Sequence, residues 1–424
     1  MDIVLFLLGL GLLFRNDQTS VLTIIFFLCS VYLQLNIEDT LFTNFLFLHN
    51  VNDLGIVLYI LFFFKILFTR GAEFTGVLQN AVSLLLLFLF LNGIYDILFN
   101  GTSPIDVVKF LRSRLLLTIV YIVPRLYIDE VNGSFRQVAK ITVLACVFII
   151  FQTLTSIELI KFSSLVERGI KPPITAIIFT IFYLVNYWNL SKFKTYAASF
   201  ICFMPIALNM KMTYAISVLL ILFTFILFRS GLAMAKKITA VLFVIIISFG
   251  FLGISDKFAN RLTGMVQETN TISSGQSSGN FSYRILHAKE RLDYITKNTV
   301  TAVRGIGYVS EANYHHKTFK FGCYNRERNR VDQLDNGDIM WSNIFVRVGL
   351  LGCLFYLCFF GFLMKMYYEN RSHSDYYTLW FSYLLITILF TSLGNETMWY
   401  GYFFMYPISI YFALQSEEYL VYDT

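Results

Sequence analysis

About a dozen apolar segments, most of them near twenty residues long, fill this chain and limit what it can fold into. A helix crosses the hydrocarbon of a bilayer in about 20 residues. Only helices and closed barrels satisfy every backbone group in lipid. A barrel would show shorter segments of strictly alternating polarity, and none occur. Of the 424 residues 57% are hydrophobic and 14% charged, against about 25% charged in soluble domains. That apolar content is enough for roughly twelve crossings. The sequence therefore predicts an all-α polytopic integral membrane bundle of about 12–13 transmembrane helices.

Candidate spans fall at 3–14, 20–35, 54–69, 75–98, 108–128, 138–157, 173–190, 195–210, 212–229, 237–254, 343–364, 377–393 and 398–414. This divides the chain into a bundle over 1–254, one long polar stretch over 255–342, and the last three spans with a tail over 343–424. The first span is short. The fifth carries Lys109, Arg112 and Arg114 near its start, which is costly unless they meet a polar cavity or an interface.

Loops bearing Lys65 and Arg70, Arg125, Arg136 and Lys140, Lys192 and Lys194, Arg229 and Lys237, and Lys365 and Arg371 alternate with loops bearing Glu38, Asp39 and Asp53 or Asp96 and Asp106. Basic loops stay in the cytoplasm, so the 255–342 stretch is expected outside. Much of the net charge of +6 is explained in this way, and no nucleic-acid-binding motif accompanies it. Five of the six cysteines sit in apolar segments, and Cys323 alone lies in the long loop. Neither a disulfide within that loop nor a structural metal is expected.

The long loop is organised. Residues 264–280 are rich in Ser, Gly, Asn and Thr and read as a linker. Phe281, Ile285, Ala288, Leu292 and Ile295 then recur at spacings of four and three, which predicts a helix near 281–298 capped by Asn280 or Ser282. Arg284, His287 and Arg291 share another face of it. Residues 311–338 read as irregular, and the whole stretch is expected to pack on the outer mouth of the bundle.

Guanidinium forks suit phosphate oxygens, so Arg284 and Arg291, with His287 between them, are candidate contacts for a lipid diphosphate. Arg168 and Lys171, just before a span, and Lys211, between two outer span ends, are further candidates, as is Arg304. Each also reads as an ordinary solvated or snorkelling cation. Asp335 and Asp338, beside Asp332 and before a span, are candidate general bases toward a sugar hydroxyl, or plain turn carboxylates. His315 and His316 lack metal-ligand spacing. Arg347 is expected to face the bundle interior. No P-loop, HExxH, Ser-His-Asp order or Rossmann glycine pattern appears.

Four patterns, in order, resemble the O-antigen polymerase and ligase superfamily of bacterial envelope enzymes. They are Arg168-Gly169 with Pro172 before a span, the Asn209-to-Thr213 junction, Tyr283-Arg284 with a helix running to Gly305-Ile306-Gly307, and Asp335-Asn336 before a span carrying Gly349-Leu350-Leu351-Gly352. The long external loop between late spans also matches, and the likeness covers about residues 165–365. The ligase branch has a histidine where Asp335 stands, so the likeness favours the polymerase. It implies growth of a polyprenyl-diphosphate-linked glycan into O-antigen or capsule on the outer face of the inner membrane. It implies no cofactor and neither metal nor nucleotide. It further implies catalytic roles for Arg284 and Asp335 or Asp338, substrate contacts from Arg168, Lys211, His287, Arg291 and Arg304, and partnership with a chain-length regulator and a flippase. The ligase and, from another class, a lipid-linked oligosaccharide flippase or transporter remain the alternatives.

Overall fold

Apolar sequence of this density turns into helix because each buried backbone group must find its partner within its own segment. The computed structural model describes residues 2–29, 51–155, 174–186, 191–208, 212–229, 233–235, 237–239, 264, 268, 279–311, 313–314, 316–325, 330–334, 339–373 and 375–389. These residues are mostly helical, and three of their helices are long and apolar enough to cross a membrane, within Val77–Asn100, Ile128–Gln152 and Trp341–Glu369. Candidate residues Arg168, Lys171, Lys211, Asp335, Asp338 and His315 lie outside the described residues, as do the span expected at 398–414 and most of the one expected at 237–254.

The helices are α1 (Asp2–Phe14), α2 (Gln18–Cys29), α3 (Val51–Arg70), α4 (Val77–Asn100), α5 (Pro104–Leu111), α6 (Ile119–Ile122), α7 (Ile128–Thr155), α8 (Ile174–Asn186), α9 (Lys192–Leu208) and α10 (Met212–Phe228). After the polar stretch begin α11 (Asn280–Ile295), α12 (Thr299–Arg304), α13 (Met340–Glu369) and α14 (Asp375–Leu389). The central bundle packs α13 on α4 and α14, α3 on α2, and α7 on α2, α8 and α9. At 13 residues α1 spans about 20 Å, short of the roughly 30 Å hydrocarbon.

Several helix ends are tied to their neighbours by charged side chains. Arg70 grips Glu130 through two parallel bonds of 2.7 and 2.8 Å, Lys65 donates to the Leu13 carbonyl, and Arg229 pairs with Asp375 at 2.7 Å. These are helix ends expected on the cytoplasmic side. Asp53, Asp96 and Asp106 belong to the opposite ends of their helices.

The fifth expected span is not one helix. Residues 104–125 run as α5, a 3-10 turn over Arg114–Thr118, the short α6, and a second 3-10 turn over Val123–Arg125. The reason lies in its cations. Arg112 pairs with the buried Asp53 at 2.6 Å. Arg114 donates to the Tyr356 hydroxyl at 3.1 Å and the Phe110 carbonyl at 2.9 Å, with its guanidinium 4.1 Å from the Phe110 ring centre. Irregular backbone at this depth is tolerated where protein encloses it, and Leu116, Leu117, Ile119, Val120 and Ile122 are all fully buried.

The polar stretch departs from the expected irregular loop over 311–338. β1 (Cys323–Asn325) pairs antiparallel with β2 (Arg330–Asp332). A small core of Ile295, Phe319, Leu334, Phe345 and Val346 lies between this hairpin, α11 and the start of α13. The cap is Gly279 rather than the expected Asn280 or Ser282: Ser282 lies inside the first turn, where its Oγ accepts the Gly279 N–H at 3.1 Å, and Glu268 accepts the Ser282 N–H at 3.0 Å.

Candidate functional site

The site begins with α11, whose cationic face points inward. Arg291 and His287 are buried at 0% and 1% exposure, while of the apolar stripe that predicts the helix Ile295 is fully buried and Ile285 and Leu292 are 38% and 40% exposed. Arg291 donates to the Phe321 carbonyl at 3.0 Å and the Gln333 carbonyl at 2.6 Å, reaches Glu290 at 3.2 Å, and lies 4.5 Å from the Phe319 ring centre. Its guanidinium joins both arms of the hairpin segment to the helix.

Carboxylates complete that junction. Glu290 accepts the Lys320 and Phe321 N–H groups at 2.7 and 3.0 Å, and the buried Glu311 accepts those of Gln333 and Leu334 at 2.6 and 2.5 Å. A carboxylate bonded to two amides acts like a strand edge, so backbone that cannot extend the small sheet is still satisfied. Burial, with the Arg291 charge beside it, pulls the His287 imidazole down to about 3, so it is neutral and bonded to Ser342 at 2.9 Å. Burial also draws Arg291 down to about 10, still charged at neutral pH.

This module sits on the bundle through a break in α13. Gly349 adopts φ 68°, ψ −172° and Gly305 adopts φ 75°, ψ −169°, a region open in practice only to glycine. The break releases helix carbonyls, and the loop takes them: Ile306 N–H donates to Val346 O at 2.8 Å and Gly307 N–H to Arg347 O at 3.2 Å. A Cβ on Gly305 would lie 2.5 Å from Val346 O, so the two backbones cross in contact. Arg347 is buried as expected and donates to Val309 O at 2.8 Å.

On the other side α4 supplies Asp96, fully buried. It accepts from the Tyr308 N–H at 2.7 Å and Asn100 at 2.8 Å and pairs with Arg304, whose guanidinium stands 3.9 Å from the Tyr95 ring centre. Asp106 accepts from the Ser310 N–H at 3.2 Å and from the Asn313 side-chain amide at 2.7 Å. Tyr308 stacks on Phe110 at 4.2 Å and donates to Leu89 O at 2.8 Å.

Of the cations singled out in the sequence, the structure brings His287 and Arg291 together on one buried face, puts Arg284 one turn before them and partly buried, and places Arg304 in the α4 seam. Sequence reasoning missed Glu290, Glu311 and the anchoring roles of Asp96 and Asp106. The glycine pairs Gly305-Ile306-Gly307 and Gly349-Leu350-Leu351-Gly352 carried a signal, since interrupted apolar helices need such breaks, but nothing local says that they meet. No protein-family model matches this chain, and no curated protein matches it.

Proposed function

We propose that this chain is a membrane glycosyltransferase that polymerises polyprenyl-diphosphate-linked oligosaccharides, working on the outer face of a bacterial inner membrane with the 255–342 stretch in the periplasm. The observation that carries the reading is the polar module clamped in fixed register on two apolar helices by the Gly305–Gly349 crossing and by Asp96. A substrate with its tail in lipid and its reacting sugar in water needs a rigid polar body at that boundary. A pore does not.

In the proposed reaction the bond between the donor's anomeric carbon and its diphosphate breaks. The acceptor hydroxyl forms the new glycosidic bond, its proton passes to a base, and the diphosphate leaves on its lipid. The enzyme's tasks are to stabilise charge on the leaving diphosphate and to hold the acceptor opposite it. Arg284 is the proposed diphosphate contact, Arg168 and Lys211 are further proposed contacts, and Asp335 or Asp338 is the proposed base. The donor bond supplies the driving force, so the reaction needs neither nucleotide nor metal. Since Arg291 and His287 are enclosed by protein, their part is to hold the helix that presents Arg284.

A transporter is the second reading, and the discontinuous 104–125 segment with Arg112 and Arg114 favours it, because broken helices with buried charge line many transport sites. Purified protein supplied with lipid-linked repeats already on the accessible side separates the two. Chain growth resolved as a ladder on a gel, lost in Arg284→Ala protein that still reaches the membrane, supports the polymerase. Normal polymer lengths in that variant remove Arg284 from the site, and no growth with native protein removes the enzyme reading. In a deletion strain, single repeats on lipid core indicate a polymerase and unattached lipid-linked polymer a ligase.

A further inference from the structure

Part of the apolar stripe of α11 stays exposed, and the proposed reaction does not account for it. Ile285 and Leu292 are 38% and 40% exposed on α11, and Val300 and Val303 are 53% and 46% exposed on α12. Four exposed branched aliphatics on two successive helices of a module that buries a histidine and an arginine need an apolar neighbour.

Their surroundings name it. The Gly349 backbone meets the Val303 carbonyl closely enough that a Cβ there would collide with it. The next residues of that span, Leu350, Leu351 and Leu354, are 45%, 37% and 53% exposed. On α4, Tyr95, Leu98 and Phe99 are exposed at its outer end, with Tyr95 and Phe99 4.7 Å apart and Arg304 over Tyr95. The exposed aliphatics of α12 thus continue the apolar surface of two membrane-crossing helices, with an aromatic and arginine border of the kind found at headgroup depth. Lys289 and Lys297, both exposed, flank the stripe.

We propose that α11 and α12 lie in the outer headgroup layer of the bilayer, with Ile285, Leu292, Val300 and Val303 seated on acyl chains and Lys289 and Lys297 on anionic headgroups. An amphipathic helix in the plane of the interface does this through its apolar face and its basic flanks. The arrangement fixes the height of the module above the membrane, whatever reaction it serves.

The test uses the full-length chain with its six cysteines replaced, in nanodiscs of phosphatidylethanolamine and phosphatidylglycerol. Ile285→Cys, Leu292→Cys, Val300→Cys and Val303→Cys are each labelled with an environment-sensitive fluorophore. Lys317→Cys, an exposed position on the hairpin side of α11, is the water-facing control. The expected result is blue-shifted emission at the four sites, quenching by headgroup-proximal spin-labelled lipid at least two-fold stronger than at the control, and iodide quenching at least two-fold weaker. Iodide quenching equal to the control overturns the proposal. So does iodide protection without lipid quenching, accompanied by cysteine cross-links between two chains, which assigns the face to a second copy. Should the cysteine-free protein fail to fold, a benzophenone amino acid at 300 or 303 of the otherwise native chain gives the same decision: cross-links to lipid support the proposal, and cross-links to protein alone overturn it.

Discussion

Replacing Arg291 by Met tests whether that guanidinium binds substrate or holds the module together. The substitution keeps an unbranched apolar stem, two atoms shorter, and removes the donors. The Phe321 and Gln333 carbonyls, now 3.0 and 2.6 Å from Arg291, would face an apolar side chain, at about 1–3 kcal/mol for each buried acceptor left unsatisfied. Glu290 would also lose its 3.2 Å cation. Against this, a guanidinium no longer has to be dehydrated, and that cost is substantial for a fully buried group. The net loss is about 3 kcal/mol, roughly a hundred-fold rise in the open fraction of the module. Hydrogen–deuterium exchange in nanodiscs measures it: peptides from 319–334 should lose protection by about that factor while α4 peptides stay unchanged. Arg291→Lys, with charge but no fork, should fall between. Unchanged protection over 319–334 together with lost chain growth would refute the structural role and return Arg291 to the candidate diphosphate contacts.

His287 should make the module acid-sensitive. Its folded pKa near 3 lies below the ordinary value of about 6.5, so the stabilisation is complete above pH 6.5. It is lost as pH falls from there toward 3, by up to about 1.4 kcal/mol per unit; exchange rates corrected for intrinsic pH dependence should show this, and His287→Gln should flatten the profile. Gly349→Ala forces a Cβ into a backbone region reserved for glycine and into the Val303 carbonyl, at a cost of about 1–3 kcal/mol before the overlap is counted, so the melting temperature in detergent should drop by several degrees; an unchanged value would mean that the crossing is not tight. Asp96→Ala leaves Arg304 and the Tyr308 N–H without their carboxylate and should cost about 3–5 kcal/mol, seen as protease sensitivity near 305–313. Arg112→Ala leaves Asp53, only 2% exposed, without its guanidinium and should destabilise comparably, whereas Arg112→Gln with Asp53→Asn should recover most of the folded protein in a detergent melt; failure of that rescue would point to a role beyond pairing.

Much of this architecture is local information. Apolar segment length gave the helical class, the spacing from Phe281 onward located α11, and Arg112 and Arg114 marked the fifth expected span, which runs as short helices and 3-10 turns. The spacing that located α11 is a property of the segment alone, and it is the same whichever face turns inward. Which face is buried depends on what lies opposite. Glu290, the Phe321 and Gln333 carbonyls and Ser342 converge from different parts of the chain and satisfy Arg291 and His287, while Ile285 and Leu292 are left outside.

The sequence by itself determined that the chain is a bundle of apolar helices carrying one polar insertion, because backbone satisfaction in lipid and helical periodicity act within a segment. Only the tertiary structure decided the burial of His287 and Arg291 on α11, the meeting of Gly305 with Gly349, and the anchoring by Asp96 and Asp106. Each of these is a contact between residues dozens to hundreds of positions apart, and its energy exists only once both partners have left water together.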